Sequence, residues 1–364
     1  MTHYRGLHGL RGLAALTVVI SHALLTDNRM FAVTLGKPVT GASAWITYSP
    51  LHLFWDASEA VIVFFVLSGF VLALPFVHST PIAQWLAYYP RRLARLLLPI
   101  WAAVALAFVI AVLIPRSPDT ASSWVDQHAH AATLHNAAQA AVVRGDLPLN
   151  TPLWTMKWEI MFSLLLPAYV LGGRLLRKVW LPMVVLAILV GVWGGHRASA
   201  YIAYLPVFAV GTLLALGRER WMPWFGRLTG WRMWLVLVAA LGLLNVHWAT
   251  RATAGTGPGN LWIPGSIVLA AGALVCLFAA TPAVAAFGTH RVVAWLGQIS
   301  FSLYLIHEPI VVSIAQIDGG RMPWPATLAI ALPASIAAAA VFHRWVEAPA
   351  HRLSRRIGNA FSSR

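Results

Sequence analysis

Charge is what this sequence has least of. Only 10% of its 364 residues are Asp, Glu, Lys or Arg, against 59% hydrophobic, and the mean hydropathy is +0.72. So little charge cannot solvate the surface of an ordinary soluble globular domain, and that class is excluded. Cysteine is scarcer still: Cys276 stands alone in an apolar run, so no intramolecular disulfide can form. There is no internal repeat with a period of roughly 20 to 50 residues and no low-complexity tract. The first apolar run lacks a small-x-small cleavage site, is long for a signal peptide and carries Arg11 and His22, so it is expected to remain as a membrane span. Acidic residues number 11 against 26 basic ones, a formal net charge of +15.

What is present in abundance is apolar length. Windows of roughly 18 to 24 residues, enough to cross a hydrocarbon core of about 30 Å, recur throughout the chain. Ten are expected, at 8–28, 55–77, 96–114, 153–172, 179–195, 201–217, 232–248, 263–280, 296–316 and 325–345. The expected fold is therefore an all-α polytopic membrane protein, one domain over 1–350 with a short basic tail over 351–364. With a cytoplasmic N-terminus, eighteen Lys and Arg fall on the cytoplasmic side and seven on the other, and Lys157 lies within a span. The positive-inside rule then places both termini in the cytoplasm. The basic charge reports topology and contact with anionic membrane lipids, and no nucleic acid is expected as a partner. Two longer connections, Arg29 to Phe54 and Pro115 to Pro152, fall outside. The second carries His128, His130 and His135 among alanines, a context of an interfacial helix, and no metal site is expected.

Ionisable groups inside hydrocarbon are expensive, so each one in a span is a candidate functional residue. They are His22, Glu59, Lys157, Glu159, His307, Glu308, Arg344 and Glu347. Glu347 and Arg344, three apart, suit an interfacial ion pair, and Glu59 falls close to the headgroups. His22 and Glu159 have no opposite charge within a turn that neutralises them, and both fall in the outer third of their spans. They are expected to meet, because a carboxylate on an imidazole fixes its tautomer and stabilises the imidazolium formed when it takes a proton. Arg11 precedes His22 by eleven residues, about three helical turns and roughly 16 Å, so the two share a face without touching. A guanidinium there can grip phosphate, and a coenzyme A thioester has the length to reach from Arg11 to His22. Arg92 and Arg95, in "YYPRRLARLLLPIW", lie three apart at the cytoplasmic start of the third span. Ser68, in "FFVLSGFVLALPF", has no Gly-x-Ser-x-Gly elbow around it and reads as a close-packing site beside Gly69.

Six stretches in order, "LRGLAALTVVISH", "FFVLSGFVL", "RRLARLLLPIW", "PLWTMKWEIMFSLLLP", "ISFSLYLIHEPIV" and "RWVEAPAHRL", resemble the integral-membrane acyltransferase 3 family. The resemblance runs from residue 10 to about 352. It implies a ten-helix domain that passes an acyl group, commonly acetyl from acetyl-CoA, to a hydroxyl of a surface glycan or a lipid-linked sugar. It also implies a multi-pass protein of the bacterial inner membrane, with acyl-CoA as co-substrate and no permanently bound cofactor. The family's essential arginine and histidine fall on Arg11 and His22, and its carboxylate after Leu153-Trp154 falls on Glu159. Its paired basic residues fall on Arg92 and Arg95, and its Tyr-Leu-x-His element on Tyr304 and His307. Ser68, Trp154, Tyr304 and His307 are then expected around the pocket. Ile160 stands where relatives often carry a second acid, and Lys157 and Trp158 stand where they carry small or polar residues. The expected mechanism has His22 as general base, Glu159 as its orienting carboxylate, and Arg11, Arg92 and Arg95 on the donor's phosphates. A transporter or flippase is the alternative, but neither an inverted repeat nor matched Gly/Pro-broken helices are present.

Overall fold

The computed structural model describes residues 4–78, 81–120, 122–144, 147–254, 265–319 and 321–362. Every regular element among them is helical. In chain order they are α1 (Gly6–Leu24), α2 (Asn28–Thr34), α3 (Gly41–Tyr48), α4 (Ala57–Ala73), α5 (Ile82–Leu113), α6 (Ser123–Asp126), α7 (Leu134–Ala141), α8 (Trp154–Leu175) and α9 (Trp180–His196). There follow α10 (Ala200–Leu216), α11 (Arg218–Gly226), α12 (Gly230–Ala254), α13 (Gly265–Ala280), α14 (Pro282–Thr289), α15 (Arg291–Gln316), α16 (Trp324–Phe342) and α17 (Ala348–Ser362). α4, α9, α10, α13 and α16 are apolar around their whole circumference, which suits burial or lipid rather than water.

Seven helical stretches among the described residues are long and apolar enough to cross a membrane, and nine if two bent pairs each count as one span. The expected count of ten is thus not reached on that measure. The missing one is α8, whose 22 residues include Lys157, Glu159 and Arg174. The bent pairs are α10 with α11, at 76°, and α13 with α14, at 83°. Thr281, between α13 and α14, is extended at ψ 118° because the following Pro282 excludes the helical conformation there and starts α14 instead. α5 also departs from expectation: it begins at Ile82 and runs through Pro90, so Arg92 and Arg95 lie within the helix and not at its mouth.

The chain divides into two compact units, one of Met1–Ala14, Trp45–Thr80 and Leu164–Gln298, the other of Ala15–Ala44, Pro81–Ser163 and Ile299–Arg364. In the first, glycine permits backbone-to-backbone crossing. A Cβ on Gly12 would come within 2.5 Å of Gly297 N, and one on Gly9 within 2.5 Å of Gly288 O. Gly69 on α4 is pressed equally hard against Phe208 of α10, and Gly211 against Val66, a close helix crossing one residue along from Ser68. Glu59 lies in this unit, buried, and accepts from Trp248 Nε1 at 3.1 Å rather than facing headgroups.

In the second unit α17 lies along α5, and Gly358 leaves room for the Arg91 side chain. A π-turn, His343–Glu347, joins α16 to α17 and turns Glu347 inward to 2% exposure. Glu347 Oε2 accepts from Ser302 Oγ at 2.6 Å and His343 Nδ1 at 3.0 Å. The pair expected with Arg344 is not formed; that side chain is exposed and lies over the Trp345 ring. A core of Ala23, Leu25, Phe31, Trp124, Val125, Val311, Val312 and Ala315 gathers α1, α2, α6 and α15 at the end of the unit that holds the site.

Candidate active site

The site is built in the second unit by the C-terminal half of α1, the middle of α15, and the segments leading into α7 and α8. Its local cause is Pro309. A helical carbonyl bonds the N–H four residues on, and Leu305 O would need the one that Pro309 lacks. Asn150 Nδ2 donates to it instead, at 2.7 Å. This tie sets the next residue, Thr151, against α15, where its backbone N–H reaches Glu308 Oε1 at 2.5 Å and its hydroxyl donates to Oε2.

Glu308 has no exposed surface, yet both its oxygens are occupied. Oε1 also meets His128 Nε2 at 3.1 Å, and Oε2 lies 3.3 Å from His22 Nδ1. His307 Nε2 is 3.0 Å from the same His22 Nδ1. Trp124 packs beside His22 with ring centroids 5.3 Å apart, and beside His128 at 4.9 Å. A carboxylate buried in this way keeps its charge only through such bonds.

The hydrogen positions follow from which partners can only accept. His307 Nδ1 faces the carbonyls of Leu303 and Tyr304, each at 2.9 Å, so it carries the proton. In the neutral ring Nε2 is then an acceptor, and His22 Nδ1 must be the donor that faces it and Glu308. The lone pair of neutral His22 is thereby fixed on Nε2. His22 keeps 12% side-chain exposure while Glu308 is sealed, so the imidazole is the member of the cluster open to a substrate. His128 Nδ1 likewise donates to Trp124 O at 2.9 Å.

Of the residues expected from the sequence, the structure joins His22 with His307, and Tyr304 stands behind them. Its hydroxyl lies 2.9 Å from Thr155 Oγ1 and donates to Pro152 O at 3.3 Å. The expected contact of His22 with Glu159 is not formed. Glu159 pairs with Arg92, whose Nε also donates to Ser163 Oγ at 3.0 Å, and Ser163 Oγ donates to Glu159 O at 2.6 Å. The physical reason is the reach of α5: with Arg92 inside the helix, a full positive charge is available to neutralise that acid. Arg95 Nε donates to His351 Nε2 at 3.2 Å. Trp154, the first residue of α8, is 39% exposed. Arg11 and Ser68 belong to the first unit, where Arg11 Nη2 donates to Gly297 O at 2.9 Å.

Sequence reasoning missed three members: Glu308 as the partner of His22, Thr151 as its clamp, and His128 as its second imidazole. The signal for Glu308 was there, an acid beside His307 in "YLIHEP" with a proline after it. His128 was masked by the neighbouring His130 and His135.

Comparison with curated proteins and with solved structures gave no match. The sequence profile of the acyltransferase domain in the acyltransferase 3 family matches residues 4–344. Imidazole, sealed carboxylate and apolar helices thus sit within a match that takes in nearly the whole chain, and the protein belongs to the acyltransferase 3 family of membrane acyltransferases.

Proposed function

We propose that the protein is an O-acyltransferase of the bacterial inner membrane, both termini cytoplasmic, that moves an acetyl group from acetyl-CoA to a hydroxyl of a surface or exported glycan or glycolipid. The observation that carries this reading is the tautomer lock on His22. Its Nε2 lone pair takes the acceptor's proton as the alkoxide attacks the thioester carbonyl; the C–O bond forms, the C–S bond breaks, and the imidazolium returns the proton to the departing thiolate. Glu308 holds Nδ1–H throughout and balances the transient positive charge. Such a positioned base contributes about 10²- to 10⁴-fold to rate.

The donor's phosphates are assigned to Arg11, Arg92 and Arg95. Arg92 is paired with Glu159, so Glu159 becomes a positioning residue for Arg92 rather than the partner of the base. Tyr304 and His307 line the same centre, and Trp154 and Ser68 are supporting positions. The test is transfer of labelled acetyl from acetyl-CoA by purified protein in nanodiscs. His22→Ala should abolish product while the protein still inserts and unfolds as the wild type does. Wild-type product from that variant would overturn the mechanism, and substrate movement across the bilayer without chemistry would favour a transporter.

A further inference from the structure

Arg116 lies in the connection between α5 and α6, in the second unit, and is only 8% exposed. Its three guanidinium nitrogens are all shielded from solvent and have no hydrogen-bond partner among the described residues. The segment is held firmly. Gln316 Nε2 donates to Ser117 O at 3.1 Å, and Ser122 Oγ donates to Leu25 O at 2.6 Å. Thr120 N donates to Asp126 Oδ1 at 2.8 Å. The first two ties run to the ends of α15 and α1, the helices that carry Glu308 and His22. Arg116 is therefore a fixed, buried cation beside the centre.

Burial lowers the pKa of Arg116, and the charge of Glu308 offsets part of that. Glu308 is nevertheless spoken for: it takes bonds from Thr151 twice, from His128 and from His22. Arg116 makes no hydrogen bond to that acid, so its guanidinium donors stay buried and unpaired among the described residues. Buried donors left unpaired are unfavourable, and proteins retain them where something pairs with them. A guanidinium with its whole donor fork unpaired fits a carboxylate or phosphate bidentately. Arg116 lies in the connection tied to Gln316 and Leu25, at the ends of the two helices and outside the hydrogen-bonded cluster of His22, placed to recognise a remote group of the substrate and not the reacting carbonyl.

We propose that Arg116 is a specificity residue of the acceptor site: the acceptor carries a carboxylate or phosphate, which Arg116 grips while a hydroxyl is presented to His22. This rests on the O-acyltransferase reading above. The test uses full-length protein in nanodiscs, as wild type, Arg116→Met and Arg116→Lys. Without added anion, Arg116→Met should unfold roughly 2–4 °C above wild type, because it removes buried donors that nothing pairs. Acetate or phosphate, against chloride at equal ionic strength, should raise the unfolding temperature of wild type and Arg116→Lys but not of Arg116→Met; which oxyanion does so names the group. In labelled acetyl transfer to glucose, glucuronate and glucose 6-phosphate, Arg116→Met should raise KM for the charged sugars about tenfold with kcat little changed. It should leave glucose unaffected. A lowered unfolding temperature for Arg116→Met with the anion response retained would show a partner within the protein and overturn the proposal. Equal KM for charged and neutral sugars in wild type would also overturn it. If no sugar is acetylated but Arg116-dependent stabilisation by the oxyanion persists, the anion site stands and the transferase reading fails. Transfer to glucose with no anion response gives the reverse.

Discussion

Glu308→Gln isolates the carboxylate because the surrounding donors dictate how the amide must sit. Thr151 N–H is fixed backbone and can only donate, so the amide oxygen has to take the Oε1 position. The NH2 then falls at the Oε2 position, facing the Thr151 hydroxyl and His22 Nδ1. The hydroxyl can rotate to accept. His22 Nδ1–H then meets a second donor where the carboxylate stood and keeps only His307 Nε2, at 3.0 Å, as acceptor, so the base is held less firmly. The counter-charge for the imidazolium is lost at the same time. Together these should lower kcat by about 10³-fold, near 4 kcal/mol at about 1.4 kcal/mol per tenfold. A stability cost of about 1–3 kcal/mol should follow from weaker bonds to Thr151 and His128. Labelled acyl transfer reads the first effect, thermal unfolding the second, and ¹⁵N shifts of the His22 ring the tautomer. A variant that keeps more than about a tenth of wild-type kcat would refute the reasoning.

Asn150→Ala should cost about 1–3 kcal/mol by leaving Leu305 O buried and unpaired. Adding Pro309→Ala supplies the missing N–H, so a double-mutant cycle should show the second change recovering much of the first; strict additivity would sever the link between proline and asparagine. Gly12→Ala should lower the unfolding temperature, since its Cβ would sit 2.5 Å from Gly297 N. Gly172→Ala, with nothing within 4 Å, should be neutral or stabilising by about 0.5–1 kcal/mol, and thermal unfolding of the pair checks the contrast.

Helix and membrane were legible from composition because an all-round apolar run of that length has few other fates. The residues that matter were legible for a related reason: His22, His307 and Glu308 are costly where they stand, and cost marks them without knowledge of their neighbours. Which of them meet was not legible. Glu159 was matched to His22 by depth, and Arg92 was passed over as its partner because it was placed at the mouth of a span at 96–114, whereas α5 begins at Ile82 and carries it within the helix. Proline within a helix forfeits one hydrogen bond, and packing outweighed that loss here. Glu347 and Arg344 show the same limit at short range. Sequence spacing put them on one face, but the π-turn widens the helix at His343–Glu347, and the acid turns inward while the arginine stays outside.

The hydrogen that Pro309 lacks works as an address. One carbonyl on α15 receives one asparagine of a separate stretch, and Thr151 is delivered to the acid only because it is the very next residue. The register between these segments is set to a single residue, without reference to the helices on either side. Lengthening the chain by one residue between 150 and 151 would leave every helix its sequence and its apolar faces, and would take the clamp off the carboxylate. In a fold held mostly by grease, the chemistry depends on a count.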